Sequence, residues 1–187
     1  MLDLSGGILS KAGVEDEVSG ALSRETIWQL IHGEPALVSD LVDADRQIQP
    51  CGLDVTLGAV FQLTEAGRLG TDERHLPDRV PMAFDFWGWL HLPAGSYMLQ
   101  LNEVVRLPLD LMALGRPRSS LLRCGASLHT AVWDPGYQGR SECLLVVNNP
   151  AGIELQKDAA IMQLVFFRLE QATGRGYAGR YQGENLA

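Results

Sequence analysis

The sequence has few of the residues that build small metal-bound or disulfide-linked folds. Its 187 residues include only three cysteines and four histidines. The histidines, His32, His75, His91 and His129, form neither an HxH nor an HExxH pattern. Zinc sites need His and Cys ligands at close spacing, so zinc-dependent catalysis, including zinc-dependent deamination, is disfavoured. An odd number of cysteines among apolar residues predicts buried free thiols in a reducing compartment.

Long apolar runs and basic runs are also missing. The longest uncharged stretch, 86–102, is interrupted by glycines, Pro93 and polar residues, which excludes a transmembrane helix. Residues 1–11 lack a signal-peptide pattern, so we expect a cytoplasmic protein. The 15 Lys and Arg residues against 23 Asp and Glu give a formal net charge of −8. This acidic balance predicts that the protein binds neither nucleic acid nor membrane, because tracking phosphates requires a basic stripe.

The chain does have enough apolar residues for one domain. At 187 residues and 46% hydrophobic content, its length falls within the single-domain range. A domain of this size buries roughly 70% of the surface that its unfolded chain exposes. We divide the chain into an N-terminal extension at 1–21, expected to be poorly ordered, a domain at 22–172 and a C-terminal tail at 173–187, expected to be mobile.

The first part of the domain has a helical pattern. Ser23 is a predicted N-cap for a helix over 24–32, and Gly33 is suited to end that helix. A second short helical or turn segment is expected at 36–41.

From Gln47 onward, short apolar runs recur between turn residues at intervals of roughly eight to twelve residues, which is typical of a β-sandwich or barrel. The predicted strands are 52–57, 59–63, 89–92, 97–101, 104–107, 112–114, 126–133, 143–147, 153–155 and 161–169. The charged segment 67–81 is predicted to be a long surface loop.

The segment from Arg118 to Arg123 is a candidate anion-binding site. It places the hydroxyl groups of Ser119 and Ser120 between two arginines. Arginine offers paired donors to phosphate oxygens, and a hydroxyl or turn amide adds further donors. A charged turn between two strands has the same composition, so the pattern alone leaves both interpretations open.

Two acids stand where a carboxylate has either a structural or a chemical role. Asp134 follows an apolar strand and precedes a Pro-Gly turn, so it is a turn starter or a carboxylate that orients and deprotonates water. Asp54 lies inside an apolar strand, where an ionised group needs a paired arginine or an anion–metal complex. Tyr137 either lies against a sugar or caps the end of the barrel.

Taken together, the ordered motifs resemble the dUTPase / dCTP deaminase superfamily, and most closely its archaeal-type dUTPase branch. The motifs are QPCGLDVTLG, PRSSLLRCG and HTAVWDPGYQGRSE, followed by NNPAGIEL, AAIMQLVFF and GYAGRYQGE. The resemblance covers about Ser23 to Glu184. It implies a mainly β fold, a distorted jelly-roll-like β-barrel of the β-clip type with a short N-terminal helix. It also implies a homotrimer with active sites between subunits, a pyrimidine deoxynucleoside triphosphate as substrate and Mg²⁺ as cofactor.

The resemblance assigns roles to individual positions. Phosphate contacts are expected from Arg118, Ser119, Ser120, Arg123, Gln163 and Arg180. Base and sugar contacts are expected from His129, Thr130, Ala131, Tyr137, Tyr177 and Tyr181. Asp134 would hold the nucleophilic water, and Asp54 would contact Mg²⁺ indirectly through water. The tail would close over the ligand.

One position separates the two branches of this superfamily. Its deaminases carry a catalytic glutamate ten residues after the strand-end aspartate, and here that position is Leu144. The nearest acid, Glu142, lies two residues earlier, a displacement of roughly 6–7 Å along a strand. Since leucine cannot transfer a proton, we predict Mg²⁺-dependent hydrolysis of dUTP to dUMP and pyrophosphate by a homotrimeric dUTP diphosphatase.

Two alternatives remain at this point. One is a dCTP deaminase, alone or bifunctional with dUTPase activity. The other is a non-catalytic nucleotide-binding regulatory trimer, which would suit Ala160 at a position where the family often has arginine. Glu184 is a second departure, because the deaminases usually have glutamine there.

Overall fold

The structure, a computed structural model, describes residues 20–186. The described chain is mainly β, with short helices at three places. The helices are α1 Arg24–Ile31, α2 Ala44–Gln47 and α3 Ser119–Arg123. The strands are β1 Gly20–Ala21, β2 Val38–Ser39, β3 Ile48–Gln49, β4 Gly52–Leu63, β5 Arg68–Leu69, β6 Arg74–His75, β7 Arg79–Met82, β8 Trp89–Leu92, β9 Gly95–Leu101, β10 Val104–Arg106, β11 Leu111–Pro117, β12 Ala126–His129, β13 Gln138–Gly139, β14 Glu142–Val147, β15 Ile153–Gln156 and β16 Ala160–Arg168.

The main sheet is antiparallel and curls on itself. Its strand order is β1-β16-β4-β9-β14-β12, with β11 also on β16 and with β3 and β7 also on β4. The long strand β4 pairs with β16 through its first half and with β9 and β7 through its second half. The register shifts between Leu57 and Ala59, and such a bulge bends a strand and increases its twist. A Cβ on Gly58 would lie 2.9 Å from Asn102 Oδ1 and 3.1 Å from the Gln100 and Leu101 carbonyl oxygens, so glycine suits this closely packed bend.

The core fills the space inside the curl. Apolar side chains alternate along β9, β14 and β16, and the inward ones are buried, as period-two packing requires. The largest fully buried side chains include Leu53, Leu57, Leu99, Leu101, Leu145, Met162 and Phe166. Each such side chain contributes roughly 1.5–3 kcal/mol relative to its exposed state.

The helix α1 begins where Ser23 caps it. The Ser23 hydroxyl accepts the Thr26 backbone N–H at 3.4 Å, and Ile27 and Ile31 bury one face. The helical or turn segment predicted at 36–41 instead contains β2, which pairs with β10. The cause is tertiary: Val38 fills a core position opposite Val105, and this pairing overrides the weak local preference.

Two other sequence predictions need correction. The segment 67–81 is not a plain loop, because β5 and β6 pair with each other and β7 pairs with β4. Of the three thiols, only Cys143 is buried, and burial raises its pKa to about 12. Cys51 lies in the turn before β4 and Cys124 caps α3, and both are exposed because turns and caps lie at the surface.

Each strand predicted between 52–57 and 161–169 overlaps a strand of the structure, with most ends shifted by a few residues, whereas the short strands β5, β6, β7 and β13 were not predicted. The predicted N-terminal extension lies mostly outside the described residues, although its end, Gly20–Ala21, forms β1 against β16. Within residues 20–186, no helix is long and apolar enough to cross a membrane.

A buried carboxyl group connects β4 to the chain that follows β9. Glu103 is fully buried and accepts three hydrogen bonds. Its Oε2 accepts the Thr56 backbone N–H at 3.0 Å, and its Oε1 accepts the Thr56 hydroxyl at 2.6 Å and the Gln47 amide at 2.7 Å. Gln47 also donates to the Asp54 carbonyl oxygen at 2.9 Å. Burial raises the pKa of Glu103, and these donors oppose that rise.

Glu103→Gln is expected to lower the free energy of unfolding by about 1–3 kcal/mol, the cost of a buried donor without an acceptor. The new amide group would face at least one of the three donors that the carboxylate accepts. Urea unfolding at neutral pH measures the change. Glu170→Gln, at an exposed glutamate after β16, is the matched control. Equal stability of Glu103→Gln and the unmutated protein would contradict a supporting role for this network.

Candidate active site

A cavity of about 300 Å³ opens beside Asp134. Its walls come from 131–134, from Tyr137, Ser141 and Glu142, and from the tail residues Tyr177, Tyr181 and Glu184. The cavity therefore combines the end of the 126–133 segment, the start of β14 and the C-terminal tail. Its size is at the lower limit of typical small-molecule sites.

The position of Asp134 is set by its neighbours in the chain. Trp133 and Ala113 exchange two backbone hydrogen bonds, at 3.0 and 3.1 Å, which fix the backbone before Asp134 to β11. The turn that follows closes with the Tyr137 N–H donating to the Asp134 carbonyl at 3.1 Å. The Asp134 carboxylate is exposed, and no group within residues 20–186 hydrogen-bonds to it. It is therefore available to a ligand or a water molecule.

A chain of hydrogen bonds runs from the core to the tail along one wall of the cavity. The Tyr137 hydroxyl donates to Glu184 Oε1 at 2.7 Å. The Ser141 hydroxyl, 2.9 Å from the Tyr137 oxygen, accepts the Trp133 indole N–H at 2.7 Å. Burial raises the pKa of Tyr137 and also that of Glu184, whose rise the Tyr137 hydrogen bond opposes. The chain holds the Tyr137 ring in one orientation.

The tail lies along the Asp134 turn of its own chain. The Tyr177 N–H donates to the Pro135 carbonyl at 2.7 Å, and the Gln182 side chain donates to the Gly136 carbonyl at 3.0 Å. The Glu184 carbonyl accepts the Arg140 N–H at 2.9 Å. Gly136 has φ +83°, and a Cβ there would lie 2.9 Å from the tail backbone, so glycine is required at this contact. The predicted tail is thus docked on the site.

Apart from Arg180, the residues predicted to bind phosphate lie in a second group, around α3. The Arg118 Nε lies 3.2 Å from Asp54 Oδ2, and Asp54 stands opposite Gln163 in the pairing of β4 with β16. Burial raises the pKa of the Asp54 carboxyl, and the Arg118 charge opposes that rise. A Cβ on Gly52 would lie 2.4 Å from the Leu164 carbonyl oxygen, so glycine lets β16 approach β4 closely. Arg118, Ser119, Ser120 and Arg123 are exposed.

The two groups are separated within one chain. None of Arg118, Ser119, Ser120, Arg123 and Gln163 lines the cavity of Asp134. Trp133 bridges to Ala113 near one end of β11, whereas Arg118 follows Pro117 at the other end. The four residue steps along the strand from Ala113 to Pro117 correspond to about 13 Å.

The predicted base and sugar contacts divide in the same way. Ala131, Tyr137, Tyr177 and Tyr181 line the cavity. His129 lies on β12, where it pairs with Leu144 of β14, and it does not line the cavity. Arg180, which is predicted to contact phosphate, lines a neighbouring cavity of about 560 Å³ that shares Ala131, Glu142, Tyr181 and Glu184 with the first.

Several cavity residues, Ser141 and Glu142 among them, are not among the predicted site residues. Ser141 contributes through the hydrogen-bond chain to Tyr137, and Glu142 binds Arg79 of β7. Arg79 lies in the segment predicted to be a loop, 63 residues before its partner. No local pattern marks such a contact, since it depends on the pairing of β7 with β4.

Comparison with known proteins identifies the class. The dCTP deaminase-like family matches residues 21–169, and the chain belongs to this family. The resemblance predicted from the motifs is thereby confirmed.

Two relatives and one solved structure are similar to this chain. The chain is 49% identical over 166 residues to a "Probable deoxyuridine 5'-triphosphate nucleotidohydrolase" of Methanosarcina mazei, covering 88% of this chain and 97% of the relative. It is 50% identical over 167 residues to a protein of the same name from Archaeoglobus fulgidus, again covering 88% and 97%. The 2'-deoxycytidine 5'-triphosphate deaminase of Agrobacterium tumefaciens matches with a TM-score of 0.61 and 22% identity over 80% of this chain. The match spans about half of that deaminase, 48%, and shows a common fold.

Changes at Glu184 are expected to alter docking of the tail in opposite directions. Because the docked carboxyl has a raised pKa, docking favours its protonated form, so docking weakens as pH rises through that pKa. Near neutral pH, Glu184→Gln should dock the tail more tightly, since it keeps an acceptor for Tyr137 and has no charge to bury. Glu184→Ala should loosen it. The measurement is the rate of tryptic cleavage after Arg175 and Arg180.

For this test, Glu170→Gln is the control and should cleave at the rate of the unmutated protein. Slower cleavage of Glu184→Gln and faster cleavage of Glu184→Ala are the expected results. Equal rates for all four proteins would show that the Glu184 contact does not hold the tail.

Proposed function

We propose that this protein hydrolyses dUTP to dUMP and pyrophosphate. The observation that carries the proposal is Leu144, which occupies the position of the deaminase glutamate, while the Asp134 carboxylate in the cavity is available. Relatives at 49–50% identity that are named deoxyuridine triphosphate nucleotidohydrolases support the same substrate.

Asp134 is the proposed general base. Its exposed carboxylate has no hydrogen-bond partner in the described chain, so it is available to orient a water molecule and accept its proton. The water oxygen forms a bond to the α-phosphorus, and the bond from that phosphorus to the bridging oxygen of the β-phosphate breaks. The departing pyrophosphate carries the electron pair and is stabilised by arginine and hydroxyl donors.

The proposed phosphate site is the group around α3. Arg118, Ser119 and Ser120 present exposed donors, and Arg123, Gln163 and Arg180 would add contacts along the triphosphate. The ion pair with Asp54 holds the Arg118 guanidinium against β4, at 3.2 Å. An oriented guanidinium loses less conformational freedom when it binds a phosphate.

The proposed base and sugar site is the cavity beside Asp134. The main chain of His129, Thr130 and Ala131 would read the base edge, and the Tyr137 ring would pack on the deoxyribose and exclude a 2′-hydroxyl. Hydrogen bonds to Ser141 and Glu184 hold this ring in place, which supports a steric role. Tyr177 and Tyr181 of the tail would cover the bound nucleotide.

The residues present fit a magnesium ion carried by the substrate. Mg²⁺ is commonly held by one or two carboxylates together with substrate phosphates. Among residues 20–186 there is no group of three or more His, Cys, Asp or Glu residues arranged for a metal. Asp54 already pairs with Arg118, so it would contact the ion through a water molecule. The bound ion would offset triphosphate charge, which matters in a protein of net charge −8.

We also infer a homotrimer of jelly-roll-like barrels. The separation of the Asp134 cavity from the Arg118 group, about 13 Å along β11, supports this assembly. A neighbouring subunit would bring its Arg118 and the other proposed phosphate-binding residues around α3 to the cavity.

We place the enzyme in the cytoplasm, because free thiols suit a reducing compartment.

The rival activity is deamination of dCTP, which the fold shared with a deaminase favours. Glu142 is the nearest acid to position 144, and both of its oxygens are engaged, one by Arg79 and the other by Asn185 at 3.1 Å. A carboxylate held in this way is poorly placed to transfer protons. No comparable observation of the structure favours the other alternative, a non-catalytic nucleotide-binding regulatory trimer.

Asp134→Asn is expected to reduce pyrophosphate release from dUTP at least about a hundredfold, because it removes the general base. Nucleotide binding should persist, since the amide keeps the shape of the side chain. The assay follows pyrophosphate from dUTP and ammonia from dCTP separately, with Asp72→Asn on the exposed hairpin as the control. Ammonia release from dCTP by the unmutated protein would overturn the choice of dUTPase over deaminase.

Mixed oligomers test whether the site is shared between subunits. Arg118→Gln and Asp134→Asn should each be inactive alone, but their co-expression should restore activity to about one quarter of the unmutated level in a closed cyclic oligomer. In a quarter of the sites, an intact Asp134 from one subunit meets an intact Arg118 from the next. No recovery would place both residues in one chain's site.

A further inference from the structure

The Glu142 carboxylate lies on the wall shared by the two cavities of the site. It is 15% exposed and forms an ion pair with Arg79, which is 34% exposed. The other carboxylate oxygen accepts the Asn185 amide at 3.1 Å, and the same amide donates to the Arg140 carbonyl at 2.9 Å. Glu142 is therefore neutralised by Arg79 and fixed by the tail.

Arg79 is held rigidly enough to keep this pairing. Its backbone is paired with Leu63 in the ladder of β4 and β7, and the Thr64 N–H donates to the Asp78 carbonyl at 3.0 Å. Its guanidinium lies 4.3 Å from the centre of the Phe61 ring, within cation–π distance. The hydrogen bond to Glu142 raises the pKa of Arg79, so the positive charge persists at every physiological pH.

Without Arg79, this wall would be acidic. Glu142 and Glu184 both line it, and their mutual repulsion is one cause of the raised pKa of Glu184. An unpaired carboxylate accepts hydrogen bonds from amino groups and repels carbonyl oxygens. Cytosine and uracil differ in this respect, since cytosine has an exocyclic amino group where uracil has a carbonyl oxygen.

We propose that Arg79 is a specificity-determining residue that makes the base pocket select uracil over cytosine by occupying Glu142. The inference rests on the proposed function, because it takes the base to lie in this cavity. The paired guanidinium denies the cytosine amino group its acceptor and presents positive charge to the uracil carbonyl. A confined site discriminates between two such bases because the wrong base leaves a buried polar group without a hydrogen-bond partner.

The test changes each partner of the pair separately. Arg79→Met keeps an alkyl chain over Phe61 but frees the Glu142 charge, so binding of dCMP relative to dUMP should rise about tenfold, the equivalent of one charge-assisted hydrogen bond. Glu142→Gln removes the acid and leaves Arg79 unpaired, so relative binding of dCMP should fall or stay unchanged. Arg79→Met combined with Glu142→Gln should return toward the unmutated ratio.

Calorimetric titration of the full-length protein with dUMP and with dCMP gives the ratio without turnover. Arg68→Met, at an exposed arginine of the neighbouring β5 paired with Glu73, is the matched control and should leave the ratio unchanged. If Arg79→Met does not fold, Glu142→Gln still tests the inference, because relative strengthening of dCMP by that variant overturns it. Equal effects of Arg79→Met and Glu142→Gln on both nucleotides would show a purely structural ion pair and also overturn it.

The inference and the proposed function fail in different ways. If the unmutated protein does not hydrolyse dUTP but the binding ratio shifts as expected, the proposed activity is wrong and the role of Arg79 in selecting the base stands. If dUTP is hydrolysed and the ratio does not shift, the activity stands and the selection by Arg79 is wrong.

Discussion

The antiparallel pairing of β4 is the constraint on which the rest of the structure depends. This single strand of 12 residues pairs with β16 at one end and with β9 and β7 at the other, and its bulge at Gly58 lies between these two halves. The pairing of β4 with β16 sets Asp54 opposite Gln163. The pairing of β4 with β7 places Arg79 within hydrogen-bond distance of Glu142 on β14. Asp54 lies on β4 itself, and Arg79 lies on a strand paired with β4, so contacts in both halves of the proposed site depend on this strand. The buried Glu103 network holds the β4 backbone at Thr56.

Ion pairs distribute charge unevenly between the two halves of the site. Asp54 forms an ion pair with Arg118 near α3, but that arginine remains exposed and has donors left for an anion. Glu142 is instead satisfied on both oxygens, and Asp134, which lines the same cavity, has no partner in the described chain. In an acidic protein this arrangement leaves one carboxylate free for chemistry while the neighbouring acids are occupied. The docked tail contributes to it, since Asn185 and Glu184 complete the polar contacts of the wall.

Much of the fold was predictable because strand segments carry local signals. The alternation of apolar residues with Gly, Pro and Asp marked β8 at 89–92 and placed β9, β14 and β16 within a few residues of their ends. The segment 36–41 failed because Val38 pairs with a strand more than sixty residues later, and 67–81 failed because short exposed strands have no apolar pattern to detect. The exposed thiols of Cys51 and Cys124 show that apolar neighbours in sequence do not ensure burial at a turn or a helix cap.

The sequence by itself determined the chemistry available: the Arg-Ser-Ser motif, the aspartate before the Pro-Gly turn, leucine at position 144 and the family to which these belong. These are local features, and their spacing along the chain is enough to identify them. Only the tertiary structure decided which of them meet. The links of Arg79 to Glu142, of Tyr137 to Glu184 and of Glu103 to Thr56 span 63, 47 and 47 residues. Contacts at such separation depend on strand register and sheet curvature, which no local pattern of residues encodes.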